Sequence, residues 1–223
     1  MNSHSYSPAE IAAIERVIRE RRDIRHFAPG PLPAGSLERL VRAAHLAPSV
    51  GYMQPWRMVH VKDAALRDKL YAIVDAERLA TAAALPARQS EFLRLKVEGI
   101  RDCAEIVVVA LMDGREPHIF GRRTLPEMDL ASAACAIQNL WLAARAEGIG
   151  VGWVSLFDPT AVAELFAMPA GAQPIAILCI GPAVEFPPAP LLEATGWGSR
   201  LPLAEILFED RWPEDARPTP TAY

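Results

Sequence analysis

Hydrophobic and polar positions alternate along the chain in two periods, and the switches between them mark the elements. Ser7-Pro8-Ala9-Glu10 offers a cap, a proline for the first helical position and an early acid, followed by Ile11, Ile14, Val17 and Ile18 at helical spacing. This predicts a first helix ending near Arg22. After the break at Pro29 to Pro33, Ser36 is placed to cap a second helix with an apolar face of Leu37, Leu40, Val41 and Ala44, ending before Pro48. Pro48 to Pro55 then reads as a loop. Arg57 to Val61 alternates as a strand does, and Asp63 opens a long Ala-rich helical stretch that Pro86 divides and that resumes through Gly99. Ile106 to Leu111 is a continuous apolar run, the mark of a buried strand. Leu125-Pro126-Glu127 opens a helix whose Leu130, Ala134, Ile137, Leu140, Trp141 and Ala144 cover much of its circumference, which predicts a central position. Gly148, Gly150 and Gly152 lead into a strand at Val151 to Leu156, Asp158-Pro159 starts a short helix, and Ile175 to Ile180 is a further buried strand. After Pro202 the chain is proline-rich with few apolar anchors, so it either wraps a partner or stays loose.

Strands and helices interleave with no internal repeat and no linker. The expectation is a single domain, α/β or α+β, with a sheet covered by helices. No G-x-G-x-x-G follows a strand and no Walker A is present, which argues against a Rossmann domain or a P-loop nucleotidase. Composition narrows the partners. The 223 residues are 51% hydrophobic and 22% charged, enough apolar surface for a core, and the formal charge of -4 is too balanced for a generic binder of nucleic acid or anionic membrane. Cys103, Cys135 and Cys179 are far apart in apolar segments and read as reduced structural thiols of a cytoplasmic protein. The longest uncharged run, Leu165 to Val184, is interrupted by Pro169, Pro174 and Pro182 and does not suit a membrane span. The polar start, Met1 to Ser7, has no signal-peptide core.

Three segments concentrate chemistry. Arg21-Arg22-Asp23-Ile24-Arg25 sets three guanidiniums in five residues, able to grip a phosphomonoester with several donor forks; arginines that complement a helix C-terminus, with Asp23 as an ion-pair partner, are the alternative. Pro48-Ser49-Val50-Gly51-Tyr52-Met53-Gln54-Pro55-Trp56 gathers a hydroxyl, an amide, a glycine and two aromatics, enough to hydrogen-bond and stack a planar heterocycle, or simply a structural loop with Trp56 in the core. Gly148 to Ser155 is a glycine-punctuated strand entry that lets backbone approach a ligand, or a helix C-cap followed by a tight turn. The five histidines form neither H-E-x-x-H nor a Cys/His cluster, so no metal site is expected. No G-x-S-x-G is present. Glu127 and Asp129, two residues apart, face different sides of a helix and make a poor carboxylate pair. Arg122-Arg123 reads as a solvated loop, with a lid role as the alternative.

Taken in order, R-R-D-I-R at 21 to 25, P-S-V-G-Y-M-Q-P-W at 48 to 56, F-G-R-R-T-L-P-E-M-D at 120 to 129 and G-V-G-W-V-S-L-F-D-P at 150 to 159 resemble the nitroreductase-like flavoprotein family, from Arg21 to about Trp212. Within it the chain is similar to the branch that fragments reduced FMN. General members usually carry Ser where this chain has Asp23 and Gly where it has Ser155. The resemblance implies an α+β fold with a central, mostly antiparallel sheet flanked by helices, and a homodimer. It also implies one flavin-binding domain over 1–223 whose 203–223 tail extends over the partner.

For the site, the resemblance implies that Arg21, Arg22, Asp23, Ile24 and Arg25 embrace FMN, the arginines holding its phosphate. Ser49, Gly51, Met53 and Gln54 lie near the isoalloxazine, in part contributed across the homodimer, and Ser199 and Arg200 add phosphate contacts. Asp23 acts as base toward the ribityl chain, Ser155 as its hydrogen-bonding partner or as a donor near the ring, and the Gly51 amide helps hold dioxygen. Reduced FMN is consumed as substrate with dioxygen as co-substrate and no metal, giving 5,6-dimethylbenzimidazole, the lower ligand of vitamin B12, and erythrose 4-phosphate. A separate NAD(P)H-dependent flavin reductase supplies the reduced flavin, and the region from Pro86 to Arg123 serves as a lid, or is an ordinary helical excursion. Two other functions stay open at this point: an NAD(P)H-dependent nitroreductase or reductive dehalogenase that retains its FMN, and a flavin-binding or storage protein without catalysis.

Overall fold

The structure, a computed structural model, describes residues 4–213. The chain divides into two compact units, Met1–Phe186 and Pro187–Tyr223.

In the first unit, four strands form one antiparallel sheet in the order β1-β2-β4-β3: β1 (Trp56–His60), β2 (Glu105–Leu111), β3 (Ile149–Val154) and β4 (Gln173–Pro182). The central pair reads as unbroken apolar runs because both of its faces are buried. Successive side chains divide between two cores: Val107, Val109, Leu111, Ala176, Leu178 and Ile180 on one face, Ile106, Val108, Ile177 and Cys179 on the other. Each such Val, Leu or Ile removed from water contributes roughly 1.5–3 kcal/mol. The α+β architecture with an antiparallel sheet is the expected one.

The first face is covered by α2 (Ser36–His45) and α5 (Met128–Ala146). Helix α5 buries Ala133, Ala136, Ile137, Leu140, Trp141 and Ala144, and its small residues let it lie close against α2 and β3. The second face is covered by α3 (Ala64–Ala84) and α6 (Pro159–Leu165), with α4 (Gln89–Arg94) alongside α3. Asp63 and Asp158 cap α3 and α6 by accepting from Leu66 N and Thr160 N. Helix α1 (Pro8–Glu20) opens with a reciprocal Ser7/Glu10 capping box yet buries none of its residues: Ile11, Ile14 and Ile18 all remain exposed.

Several expectations are corrected. The residue flanking α2 is Gly35, in the left-handed region at φ 75°, and Ser36 is the first helical residue. The helical stretch after Pro86 stops at Arg94, short of Gly99. From Leu95 the chain is extended, and Gly99 sits where a Cβ would come within 2.4 Å of the Phe27 ring. Strand β3 starts two residues early and ends at Val154, leaving Ser155 just beyond it. On α5, Leu130 and Cys135 face outward, so the helix is central only along one side. Cys103 and Cys179 are free, buried thiols in the second core; the hydrogen bond with Cys103, then burial, push the Cys179 thiol well up. No helix among the described residues is long and apolar enough to cross a membrane.

The second unit holds the short helix α7 (Leu191–Ala194) and a single helical turn at Leu203–Glu205. Ser199 and Arg200 lie on irregular chain between them, both exposed.

Candidate active site

The arginine run is an added edge of the sheet. Asp23 bridges Val151 in parallel, and Ile24 N donates to Val151 O at 3.0 Å, so residues 21–25 extend along β3. Two glycines make this possible. A Cβ on Gly152 would stand 2.3 Å from Ile24 O, and one on Gly150 would stand 3.0 Å from Ile24 Cγ2. The glycines of the strand entry thus admit a neighbouring strand of the protein itself, while Gly148, at φ 73°, terminates α5.

Each side chain of the run is held differently. Asp23 Oδ1 accepts from Trp153 N at 2.9 Å, and its Oδ2 accepts from Arg25 Nε at 2.9 Å and Nη2 at 2.5 Å. Arg25 Nη1 also donates to Lys96 O at 3.2 Å, on the extended segment after α4. Arg21 lies over the Trp141 ring, 4.4 Å from its centroid, while Trp141 Nε1 donates to Arg22 O at 3.1 Å. Arg22 turns back to donate to the carbonyls of Arg19 and Arg21, serving the end of α1. Ile24 is buried. Among the described residues Arg25 alone pairs with Asp23, so the run carries more positive charge than its one carboxylate neutralises, on a segment fixed by the core. That donor set suits a dianionic phosphomonoester, so the residues present fit the phosphate end of FMN.

The Ser49 to Gln54 segment is a strained turn. A 3₁₀ turn at Val50–Tyr52 carries Gly51 at φ 53° and Tyr52 at φ 53°, and Gln54 follows at φ 50°. Non-glycine residues in the left-handed region cost of order 1–3 kcal/mol each, and such positions cluster at functional sites. Ser49 Oγ accepts from Gln54 N at 3.0 Å, closing the turn. Val50 N donates to Ser132 Oγ on α5 at 3.0 Å. Met53 is buried, and Trp56 begins β1 inside the first core, edge-on to His45. Above the turn lies Phe120-Gly121: a Cβ on Gly51 would meet Phe120 O at 2.8 Å, and one on Gly121 would meet Val50 Cγ2 at 2.5 Å.

Ser155 follows β3 two residues after Trp153, whose amide holds Asp23, and is exposed. A cavity of about 300 Å³ is lined by Tyr71, Val74, Arg78 and the 93–98 segment. It contains no residue of the arginine run and meets the run only through Lys96; the run and the turn are two separate candidate elements that both rest on α5, the run through Trp141 and the turn through Ser132. Four further side chains hold this region: Trp141, read only as part of the apolar face of α5, Asp129, read as a poor partner for Glu127, and Ser132 and Arg115. Arg122, expected in a solvated loop, is nine-tenths buried against Asp129. The F-G-R-R-T-L-P-E-M-D segment, which holds Arg122 and Asp129 but not Arg115, was the available signal for that pair.

Residues 18–182 match the model of the Nitroreductase family, and the chain belongs to it. Among curated proteins, the 5,6-dimethylbenzimidazole synthase of Rhodospirillum rubrum is 40% identical over 199 residues, 88% of this chain and 94% of that one. The 5,6-dimethylbenzimidazole synthase of Rhodobacter capsulatus is 40% identical over 192 residues, 85% and 93% of the two chains. Among solved structures, nitroreductase A from Vibrio parahaemolyticus aligns with a TM-score of 0.69 at 20% identity, covering 91% of this chain and 78% of that one. Iodotyrosine deiodinase bound to FMN and 3-iodo-L-tyrosine aligns with a TM-score of 0.65 at 21% identity, covering 78% and 92%. These two likenesses speak to the fold.

Proposed function

We propose that this chain is a 5,6-dimethylbenzimidazole synthase that consumes reduced FMN and dioxygen and yields 5,6-dimethylbenzimidazole and erythrose 4-phosphate. The observation that carries the reading is the Asp23 carboxylate inside the arginine run, joined to 36–40% identity with proteins of that name over most of the chain. When bound, reduced FMN supplies the electrons for dioxygen and the carbon skeleton of the product. Arg21, Arg22 and Arg25 bind its phosphate, with the extended backbone at Ile24 against the flavin chain. Asp23, oriented by Trp153 N and Arg25, keeps lone pairs for a proton and acts as base toward the ribityl arm. Ser155 donates a hydrogen bond toward Asp23 or the ring, and Ser49, Gly51, Met53 and Gln54 bound the isoalloxazine, the Gly51 amide facing dioxygen. Ser199 and Arg200 add phosphate contacts.

The working form is a homodimer of one flavin-binding domain per chain. Support comes from apolar side chains left in water: Ile11, Ile14 and Ile18 on α1, and Leu46, Tyr52, Phe120 and Leu130 around the turn. The tail from 203 lies over the partner; its positions 214–223 are outside the described residues. Within Pro86 to Arg123, strand β2 belongs to the core, which corrects the lid expectation for that part; the stretches on either side of it exclude water, and a separate NAD(P)H-dependent reductase in the cytoplasm supplies the reduced flavin.

Chemically reduced FMN incubated with the purified chain in air tests the reading by mass spectrometry. Dimethylbenzimidazole together with a sugar phosphate is expected. Flavin recovered intact, with steady oxidation of NAD(P)H by the chain alone, would instead mark a reductase that keeps its FMN.

A further inference from the structure

Asp129 is the most enclosed carboxylate among the described ion pairs, and it faces two arginines. Its Oδ2 accepts from Arg115 Nε at 2.9 Å and from Arg122 Nη2 at 3.0 Å, with the three side chains 8%, 12% and 10% exposed. Its Oδ1 accepts from Leu130 N at 2.6 Å, inside the first turn of α5. The two guanidiniums spend their other donors on backbone. Arg115 Nη1 reaches Met112 O and, at 2.9 Å, Gly171 O, and Arg122 Nη1 reaches Arg115 O and, at 3.1 Å, His118 O. Arg122 Nε is buried without a partner, so the cluster tolerates an unsatisfied donor to keep its geometry. The result is a loop, 112–123, tied to the first turn of α5 by one carboxylate.

That loop ends on the strained turn. Phe120 O fills the space a Cβ on Gly51 would need and Val50 Cγ2 the space a Cβ on Gly121 would need, so the two segments interlock. Three residues after Asp129, on the same side of α5, Ser132 Oγ accepts from Val50 N and donates to Met128 O at 2.6 Å. One stretch of helix therefore grips both layers, the covering loop through Asp129 and the turn through Ser132.

We propose that Asp129 is a positioning residue for flavin: through Arg115 and Arg122 it fixes the Phe120-Gly121 cover at a set height over the Ser49–Gln54 turn. A displaced cover lets the turn relax from its left-handed backbone and admits water beside the ring. This deepens the proposed function and rests on it for its chemical consequence, while the effect on flavin affinity stands without it.

The test uses the full chain with Gly121→Ala and Asp129→Asn. Oxidised FMN serves as the probe, by fluorescence quenching, and the ratio of dimethylbenzimidazole formed to hydrogen peroxide released follows from reduced FMN in air. Each variant is expected to lose between about tenfold and 100-fold in FMN affinity or in that ratio. Val50→Ala in the Gly121→Ala background removes the colliding methyl group and recovers part of the loss. If Asp129→Asn fails to fold, Gly121→Ala decides. A folded variant of either kind with unchanged affinity and unchanged ratio, or a double variant no better than Gly121→Ala alone, overturns the proposal. If the parent chain makes no benzimidazole, the functional reading fails, and FMN affinity alone decides the role of Asp129.

Discussion

The two halves of the candidate site are built in opposite ways. The Arg21–Arg25 strand is part of the sheet, seated on β3 by a backbone hydrogen bond, two glycines and the buried Ile24. The Ser49–Gln54 turn has no sheet partner and depends on Ser132 below, Phe120-Gly121 above and its own Ser49 bond. The first half is held by the same interior that folds the protein, so its geometry is as rigid as the core. The second is held by a few polar grips that can be altered one at a time. On the proposed function, the contrast suits a phosphate end that must not move and a ring end that must open to admit the flavin.

The largest expected effect breaks the first half. Gly152→Ala drives a Cβ to within 2.3 Å of Ile24 O, a backbone atom, so the arginine strand must leave β3. A stability loss of about 3 kcal/mol is expected in chemical denaturation, with FMN binding lost. Asp23→Asn separates chemistry from binding: benzimidazole formation should be abolished while FMN still binds in a quenching titration, and full synthesis by this variant would remove Asp23 as the base. Ser132→Ala acts on the second half alone. It frees Val50 N and should cost about 1–2 kcal/mol in thermal melts and weaken FMN binding, while the Asp23–Arg25 pair persists. Trp141→Phe removes the bond to Arg22 O but keeps an aromatic face under Arg21; about 1 kcal/mol of stability and a modest loss of FMN affinity are expected.

The smallest effect lies upstream of both halves. Hydrogen bonds with Ser7 hold the Glu10 carboxyl below its ordinary value of 4.5. Its contribution is present above that value and disappears as pH falls through the lowered one. Glu10→Gln should therefore lower the melting temperature slightly at neutral pH and match the parent chain in acid. Because α1 buries nothing, FMN affinity should not change.

Much of this was legible in the chain before folding. Caps at Ser7, Asp63 and Asp158 and the apolar runs of β2 and β4 follow from local rules of hydrogen bonding and burial, which act over a few residues, whereas α5, read as apolar around much of its circumference, is buried along one side only. Asp23 and the arginines beside it, and the Ser49–Gln54 loop, stand out as candidates for the same reason: their chemistry is concentrated within short stretches. The use of each glycine was not. Gly150 and Gly152 admit Ile24, 126 and 128 positions away, and Gly121 meets Val50, so their roles depend on which segment arrives opposite them. Asp129 was set aside for its spacing from Glu127, whereas its partners, Arg115 and Arg122, come from a loop that spacing along a helix does not register. Local sequence determined the elements and the chemical groups; tertiary structure decided which groups meet, because contact between distant segments is set by how the whole core closes.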